Sequence, residues 1–355
     1  MPVNVDLLRR LSEVAGIAGR EERVRALVIE ELRPLVDDMR VDVLGNVVGT
    51  KRGSGGPRVM IAAHMDEIGF FVKHIDDAGF LRLQPVGGFD PRVLVAQRVH
   101  VHGFAGERLT GVLQPAAKPI HVLDPSEIKA TKLDELFVDL GLPGERVRAA
   151  VEVGDMVTMA RGLETVGDCV VGKALDDRLG VYVMLEALRA MTGCSAEIVA
   201  VATCQEEVGL RGAQTAAYDI EPDIAIALDV TLAGDFPGGP PEAAVSRLGQ
   251  GAAIKVMDSS QVVHPKLLRH FRDVAEANGI AYQLELLPRG GTDAGAMQRA
   301  RGGAAAITLS MPTRYVHTVN EMANTGDIDA CVTLLARFLD EAGGREYGYD
   351  QAAGG

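Results

Sequence analysis

Four short segments that are almost wholly apolar, residues 59–63, 198–203, 224–228 and 304–311, restrict this chain more than any other feature. Runs of that length without polar alternation fit strands covered on both faces. Stretches with apolar residues at helical spacing lie between and after them, at 177–191, 265–278 and 327–339. Strands of this kind alternating with amphipathic helices predict an α/β fold, a mixed sheet flanked by helices. The N-terminal part supplies two more helices. Asp6 is a candidate N-cap before Leu7, Leu8, Leu11 and Val14, and Val24, Leu27, Val28, Leu32 and Leu35 repeat the spacing. Residues 40–48 alternate like one strand, and residues 52–57 form a glycine- and proline-rich turn.

The texture changes between residues 69 and 161. Short alternating strands such as 80–83 and 99–102 are separated by glycine turns, which predicts a small β-rich unit. The economical reading is one α/β domain, residues 1–68 and 162–355, interrupted by an inserted β domain, residues 69–161. The segment after Gly343 is expected to fray.

Bulk properties exclude several functions. With 355 residues the chain has room for two domains, and 47% hydrophobic residues predict a large core. A net charge of -13 argues against nucleic acid or an anionic membrane as partner. Cys169, Cys194, Cys204 and Cys331 show no paired spacing, which suits a reducing compartment. The first residues lack a basic region followed by an apolar one, and no apolar run could span a bilayer, so the expectation is a cytoplasmic protein.

Histidines and acids gather where the apolar strands end. His64 and Asp66 follow the first, Glu206 and Glu207 the second, Asp229 closes the third, and His317 comes shortly after the fourth. Asp176 and Asp177 open a helix. Ligands of open α/β sheets bind outside the carboxyl ends of the strands, so these groups can converge on one rim. Clustered carboxylates repel one another unless a cation neutralises them. Two imidazoles with several carboxylates suit zinc, cobalt or manganese better than calcium. Each signal alone has a plainer reading. His64-x-Asp66 can be a structural hydrogen-bonded pair, Asp176-Asp177 a helix cap, Glu206-Glu207 a solvated loop, Asp229 a turn starter, and His317 a packed ring. The other histidines have no acid at suggestive spacing. Jointly, in this order and at strand ends, these residues point to a metal site.

The segments 63–69 (AHMDEIG), 172–178 (GKALDDR), 205–213 (QEEVGLRGA), 227–230 (ALDV), 290–295 (GGTDAG) and 315–318 (YVHT) resemble the tetrahedral-type (TET) aminopeptidases, the glutamyl and deblocking aminopeptidase family of co-catalytic metallopeptidases. Residues 118–121 and 154–158 of the insert are similar too, so the resemblance covers nearly the whole chain. Val319-Asn320 departs from it, standing where the family has a proline-containing step. The resemblance implies two divalent metal ions, zinc or cobalt with manganese as an option. Their ligands would be His64, Asp176, Glu207, Asp229 and His317, with Asp176 bridging. It implies Glu206 as general base, Asp66 as the group orienting His64, and Asp177 in a similar supporting place. It implies removal of N-terminal residues from short peptides by a homo-oligomer, a dodecamer built from dimers, to which the insert contributes contacts. The Gly290–Gly295 loop either lines the substrate cleft or is an ordinary turn. Three rivals stand beside this reading: a dinuclear deacylase or dipeptidase acting on other amides, a non-catalytic scaffold, and glycoside cleavage. Adjacent Glu206 and Glu207 cannot readily flank a sugar, and the chain has no Trp and 4% aromatic residues, which disfavours the last.

Overall fold

The computed structural model describes residues 2–118, 120–122, 124, 126, 130–238 and 240–349. Residue 119 of the 118–121 segment and the tail from 350 lie outside them. Helix α1 (Val5–Glu13) buries Leu7, Leu8 and Leu11. Its N-cap is Asn4, whose side chain accepts from the Leu7 amide at 3.1 Å, while Asp6 sits in the first turn, where an acid complements the helix dipole. Helix α2 is Glu22–Leu32. The segment expected as one strand is a hairpin of β1 (Asp38–Val41) and β2 (Val47–Lys51). Asp42 turns the chain, its carboxylate accepting from the amides of Leu44, Gly45 and Asn46 at 2.9–3.0 Å.

Strand β3 (Arg58–His64) is the centre of the main sheet. Six strands then close into an antiparallel barrel: β4 (Gly69–Ile75), β5 (Leu81–Val86), β6 (Arg98–His102), β7 (Arg108–Pro115), β8 (Leu136–Asp139) and β9 (Met156–Met159), in the order β4-β5-β8-β7-β6-β9. Helix α3 (Gly144–Ala150) adds Val147 to a barrel core of residues such as Phe70, Leu81, Val101, Leu113 and Val138.

The chain returns through β10 (Glu164–Val166) and β11 (Cys169–Gly172), then α4 (Leu175–Ala190), β12 (Glu197–Thr203), α5 (Arg211–Ile220) and β13 (Ile224–Leu232). There follow β14 (Ala252–Met257), α6 (Pro265–Ala277), β15 (Tyr282–Leu286), α7 (Asp293–Gln298), β16 (Ala305–Arg314), β17 (Glu321–Asn324) and α8 (Thr325–Glu341). The eleven-stranded sheet runs β1-β2-β12-β3-β13-β16-β17-β11-β10, with β14 branching from β16 and β15 beyond it. β12, β3, β13 and β16 are parallel. Both faces are covered, as the apolar runs require: along β3, Val59, Ile61 and Ala63 join the core shared with α1, α2, α4, α6 and α8, while Met60 and Ala62 join the one under α5 and α7.

The sequence reading misses β14 and β15. The segment after Gly343 does not fray up to residue 349: the Tyr347 hydroxyl bonds His270 Nδ1 and Arg345 pairs with Asp273 at 2.6 Å. Among the described residues no helix is long and apolar enough to cross a membrane.

Candidate metal centre

The parallel strands place His64, Glu206, Glu207, Asp229 and His317 along one rim. His64 is the last residue of β3, level with Thr203 of β12, and the two glutamates follow β12 directly. Asp229 lies within β13, which runs on to Leu232 and does not close at the acid. Beyond β16 the chain turns through Tyr315 and His317, both with positive φ, so that the imidazole faces back to the rim. Asp176 enters from the start of α4, after Ala174 in the left-handed region and before a cis peptide to Asp177.

Two groups of three donors result. Ligand atoms of His64, Asp176 and Asp229 lie within 4.8 Å of one another, and so do those of Asp176, Glu207 and His317. Asp176 belongs to both. Its Oδ1 is 3.1 Å from His64 Nε2 and its Oδ2 is 3.3 Å from His317 Nε2. Glu207 Oε1 is 3.2 Å from His317 Nε2. Glu206 stands outside both groups, its Oε2 4.0 Å from His64 Nε2.

Surrounding groups fix these side chains. The Asp66 backbone carbonyl, 2.9 Å from His64 Nδ1, can only accept, so it keeps the proton there and turns Nε2 to the cluster. Asp66, the residue expected to orient His64, thus meets Nδ1 with its carbonyl and holds its carboxylate 3.6 Å away. That carboxylate instead accepts from the amides of Glu206 at 3.0 Å and Glu207 at 3.1 Å. It therefore aims the glutamate pair. Asp177 accepts from the His64 amide at 3.2 Å and the Gly180 amide at 2.9 Å. A Cβ at position 180 would lie 2.3 Å from that carboxylate, so only glycine fits.

Three further contributors were not assigned a part from sequence. Glu321, at the start of β17, accepts from the Asp176 amide at 3.0 Å and the His317 amide at 2.8 Å, tying two donors together. Its only sequence signal is its place four residues after His317. Asp293 accepts from the Thr203 hydroxyl at 2.6 Å, while its Oδ1 is buried without a hydrogen bond. Gly87 in the barrel, at φ +85, passes so near that a Cβ would be 3.0 Å from Glu207 Oε2. The barrel thus reaches the site through a glycine turn. Lower down, Lys173 Nζ binds both Glu67 oxygens at 2.7 and 2.8 Å, and Arg178 Nε donates to the Met65 carbonyl at 2.7 Å, locking the turn after His64 to α4.

Burial pushes the carboxyls of Glu206, Asp177 and Asp229 well above the usual range, and neighbouring acids add to it. Burial also raises Glu321 to about 8 and Asp293 to about 6. Burial opposes charge on the imidazoles, but Glu206 and Asp176 outweigh it at His64, and Asp176 and Glu207 lift His317 to about 12. At Asp176 burial is outweighed by His317 and His64, which hold it below its ordinary value. This is a pocket of acids short of positive charge. Glu207 Oε1 is buried with only His317 Nε2 near it, and the donors are imidazole nitrogens and carboxylates, so the residues present fit divalent cations of the zinc, cobalt or manganese kind.

The cleft above the donors, about 270 Å³, is lined on one side by Arg289, Gly290, Gly291 and Thr292, which places the glycine-rich loop in its wall.

A family model described as M42 glutamyl aminopeptidase matches residues 45–334. The lysyl aminopeptidase of Pyrococcus furiosus is 37% identical over 348 residues, 96% of this chain and 97% of that protein. An aminopeptidase from the archaeon Desulfurococcus kamchatkensis superposes with a TM-score of 0.91 at 41% identity, covering 95% of this chain and 94% of that one. The TET1 peptidase of Pyrococcus horikoshii, described as assembling into a tetrahedron or a large octahedral shell, gives a TM-score of 0.85 at 32% identity, with 95% and 99% covered.

Proposed function

Because the chain belongs to the M42 glutamyl aminopeptidase family, it is a metal-dependent aminopeptidase acting on peptides, and we propose that it works with two divalent ions held at the rim of the sheet. His64, Asp176 and Asp229 would hold one, and Asp176, Glu207 and His317 the other. The observation that carries this is the pair of three-donor groups sharing Asp176, each donor set within 4.8 Å. Zinc or cobalt fits the mixed nitrogen and oxygen set, and manganese is the third choice. When bound, such ions polarise a carbonyl and make water a nucleophile near neutral pH.

The chain's own residues supply the remaining steps. Glu206 takes a proton from the attacking water and delivers it to the leaving nitrogen. It is free to do so because it stands outside both donor groups while its neighbour is committed to one. Asp66 fixes that division of labour by accepting both glutamate amides. Glu321 holds Asp176 and His317 in mutual register through their amides. The free N-terminal amine of the substrate sits among the carboxylates of the cleft.

Residues 69–161 form the inserted domain in this reading and contribute contacts to a homo-oligomer, a dodecamer with dimers as its building block, which restricts substrates to short peptides. The described assembly of the Pyrococcus horikoshii relative supports this. The four free cysteines support the cytoplasm as the compartment. The test is Glu206→Gln: the purified variant keeps its metal and loses activity on aminoacyl-anilides by roughly 10²–10⁴-fold. Normal turnover by a metal-loaded variant would contradict the assignment.

A further inference from the structure

The two imidazoles of the rim are held in different ways. His64 Nδ1 meets the Asp66 carbonyl at 2.9 Å, and that bond fixes its ring. His317 turns Nε2 to Asp176 and Glu207. Outside the donor cluster it is bonded through its backbone amide, to Glu321 at 2.8 Å, and no described residue hydrogen-bonds its Nδ1. A ring without such a tether takes its orientation from what packs against it and from the loop that carries it.

That loop is anchored on both sides of His317, in two different cores. Val316 packs against the core of the main sheet, whereas Val319, at 4% exposure, lies in the barrel core with Phe70, Leu94 and Met159. Between them the Thr318 hydroxyl donates to the Tyr315 carbonyl at 2.7 Å and accepts from the Asn320 amide at 3.0 Å, bracing the loop internally. The barrel also meets the ring directly. A Cβ at Gly88 would lie 3.4 Å from His317 Nδ1, beside the approach of Gly87 to Glu207. Phe89 ties this turn to the barrel core by stacking on Phe70, with ring centroids 4.4 Å apart. Asp176, Glu207 and His317 therefore border a small enclosed space whose other walls include Phe89, Leu94, Met159 and Val319. The open cleft on which His64 and Asp229 face is lined by no described residue of the 69–161 segment.

We propose that the barrel positions one of the two ions and not the other: Val319, seated in the barrel core, and the turn at residues 87–89 hold His317 and Glu207 in place. The group of Asp176, Glu207 and His317 then depends on barrel packing, while the group of His64, Asp176 and Asp229 is held by the main sheet and α4. Val319 is a positioning residue that acts through His317. The inference rests on the two-ion reading and divides the two sites by what supports them.

The experiment titrates cobalt(II) into the stripped full-length protein and follows visible absorption together with metal per chain. It uses wild type, Val319→Ala, Val319→Ile, Gly88→Val and Val138→Ala. His64→Ala and His317→Ala, each lacking a donor of one group, show which absorption belongs to which ion. Val319→Ala and Gly88→Val weaken the ion that His317→Ala loses by roughly tenfold or more, and leave the ion that His64→Ala loses within about twofold of wild type. Val319→Ile keeps the apolar anchor and both affinities. Val138 lies in the same barrel core but away from the enclosed space, so Val138→Ala lowers the unfolding temperature and moves neither affinity. Gly88→Val leaves the barrel core untouched and decides the matter where Val319→Ala does not fold. Weakening of both ions alike, or of neither, would overturn the positioning role. A wild type that binds fewer than two ions would instead overturn the reading beneath it.

Discussion

The molecule buries carboxylates in two ways. Glu67 is held between Lys173, at 2.7 Å, and Arg178, at 3.7 Å, and Glu285 is held by Lys255 at 2.6 Å, with the Ser310 hydroxyl also donating to it. At the rim, among the described residues, Asp176, Glu206, Glu207 and Asp229 form no ion pair with a Lys or Arg, and the contacts come from two imidazoles. Leaving a charge buried without an opposite one costs several kcal/mol. The first two clusters supply their own cations and are structural. The rim leaves that charge to come from outside, and this separates a binding centre from a structural ion pair made of the same side chains.

The comparison can be broken most severely at Asp176. Asp176→Ala removes the donor common to both groups, and aminopeptidase activity should fall to background with loss of bound metal, measured together on one preparation. A milder change is Lys255→Met, which strands Glu285 and should cost about 3–5 kcal/mol in denaturant unfolding. The double variant Lys255→Met with Glu285→Leu should recover most of that stability, as a structural pair requires and a metal ligand would not. Glu321→Gln keeps the donors but loosens their support. Metal affinity should drop by roughly 10–100-fold, read by competition with a chromophoric chelator.

Protonation sharpens the contrast. His317 is raised to about 12 by Asp176 and Glu207, against the effect of burial, so its imidazole is charged at neutral pH in the metal-free protein. Metal must displace that proton, so binding should release protons and weaken as pH falls, which calorimetry in buffers of different ionisation enthalpy checks. His102 in the barrel shows the opposite sign. Burial, with Arg23 beside it, lowers it to about 4. Below about pH 6.5 the unfolded chain binds a proton there that the folded chain refuses. Stability should therefore decline from about pH 6.5 to about pH 4, and His102→Gln should flatten that part of the curve.

Much of this was legible before any coordinates. Continuous apolar runs marked β3 and β12 because a doubly covered strand tolerates little else, and the donors were visible because each sits where such a run ends. The fold was harder to read where buried polar residues entered strands. Lys255 and Glu285 neutralise each other inside β14 and β15, a pairing that no local pattern displays. Asp229 and Thr231 likewise interrupt the apolar run of β13, which continues to Leu232. In the site, the resemblance gives Asp66 the part of orienting His64, whereas its carboxylate serves a loop that only the parallel register of β3 and β12 brings alongside. Glu321 acts through two backbone amides, and Gly87 through the absence of a side chain, neither of which leaves a signature in one sequence.

The central claim is that the rim awaits two cations that the chain does not supply. Metal content per chain, measured by mass spectrometry after stripping and dialysis against zinc or cobalt, tests it most directly. The account predicts two ions per wild-type chain and loss of both in Asp176→Ala. One ion or none in the wild type, or two retained in the variant, would contradict it.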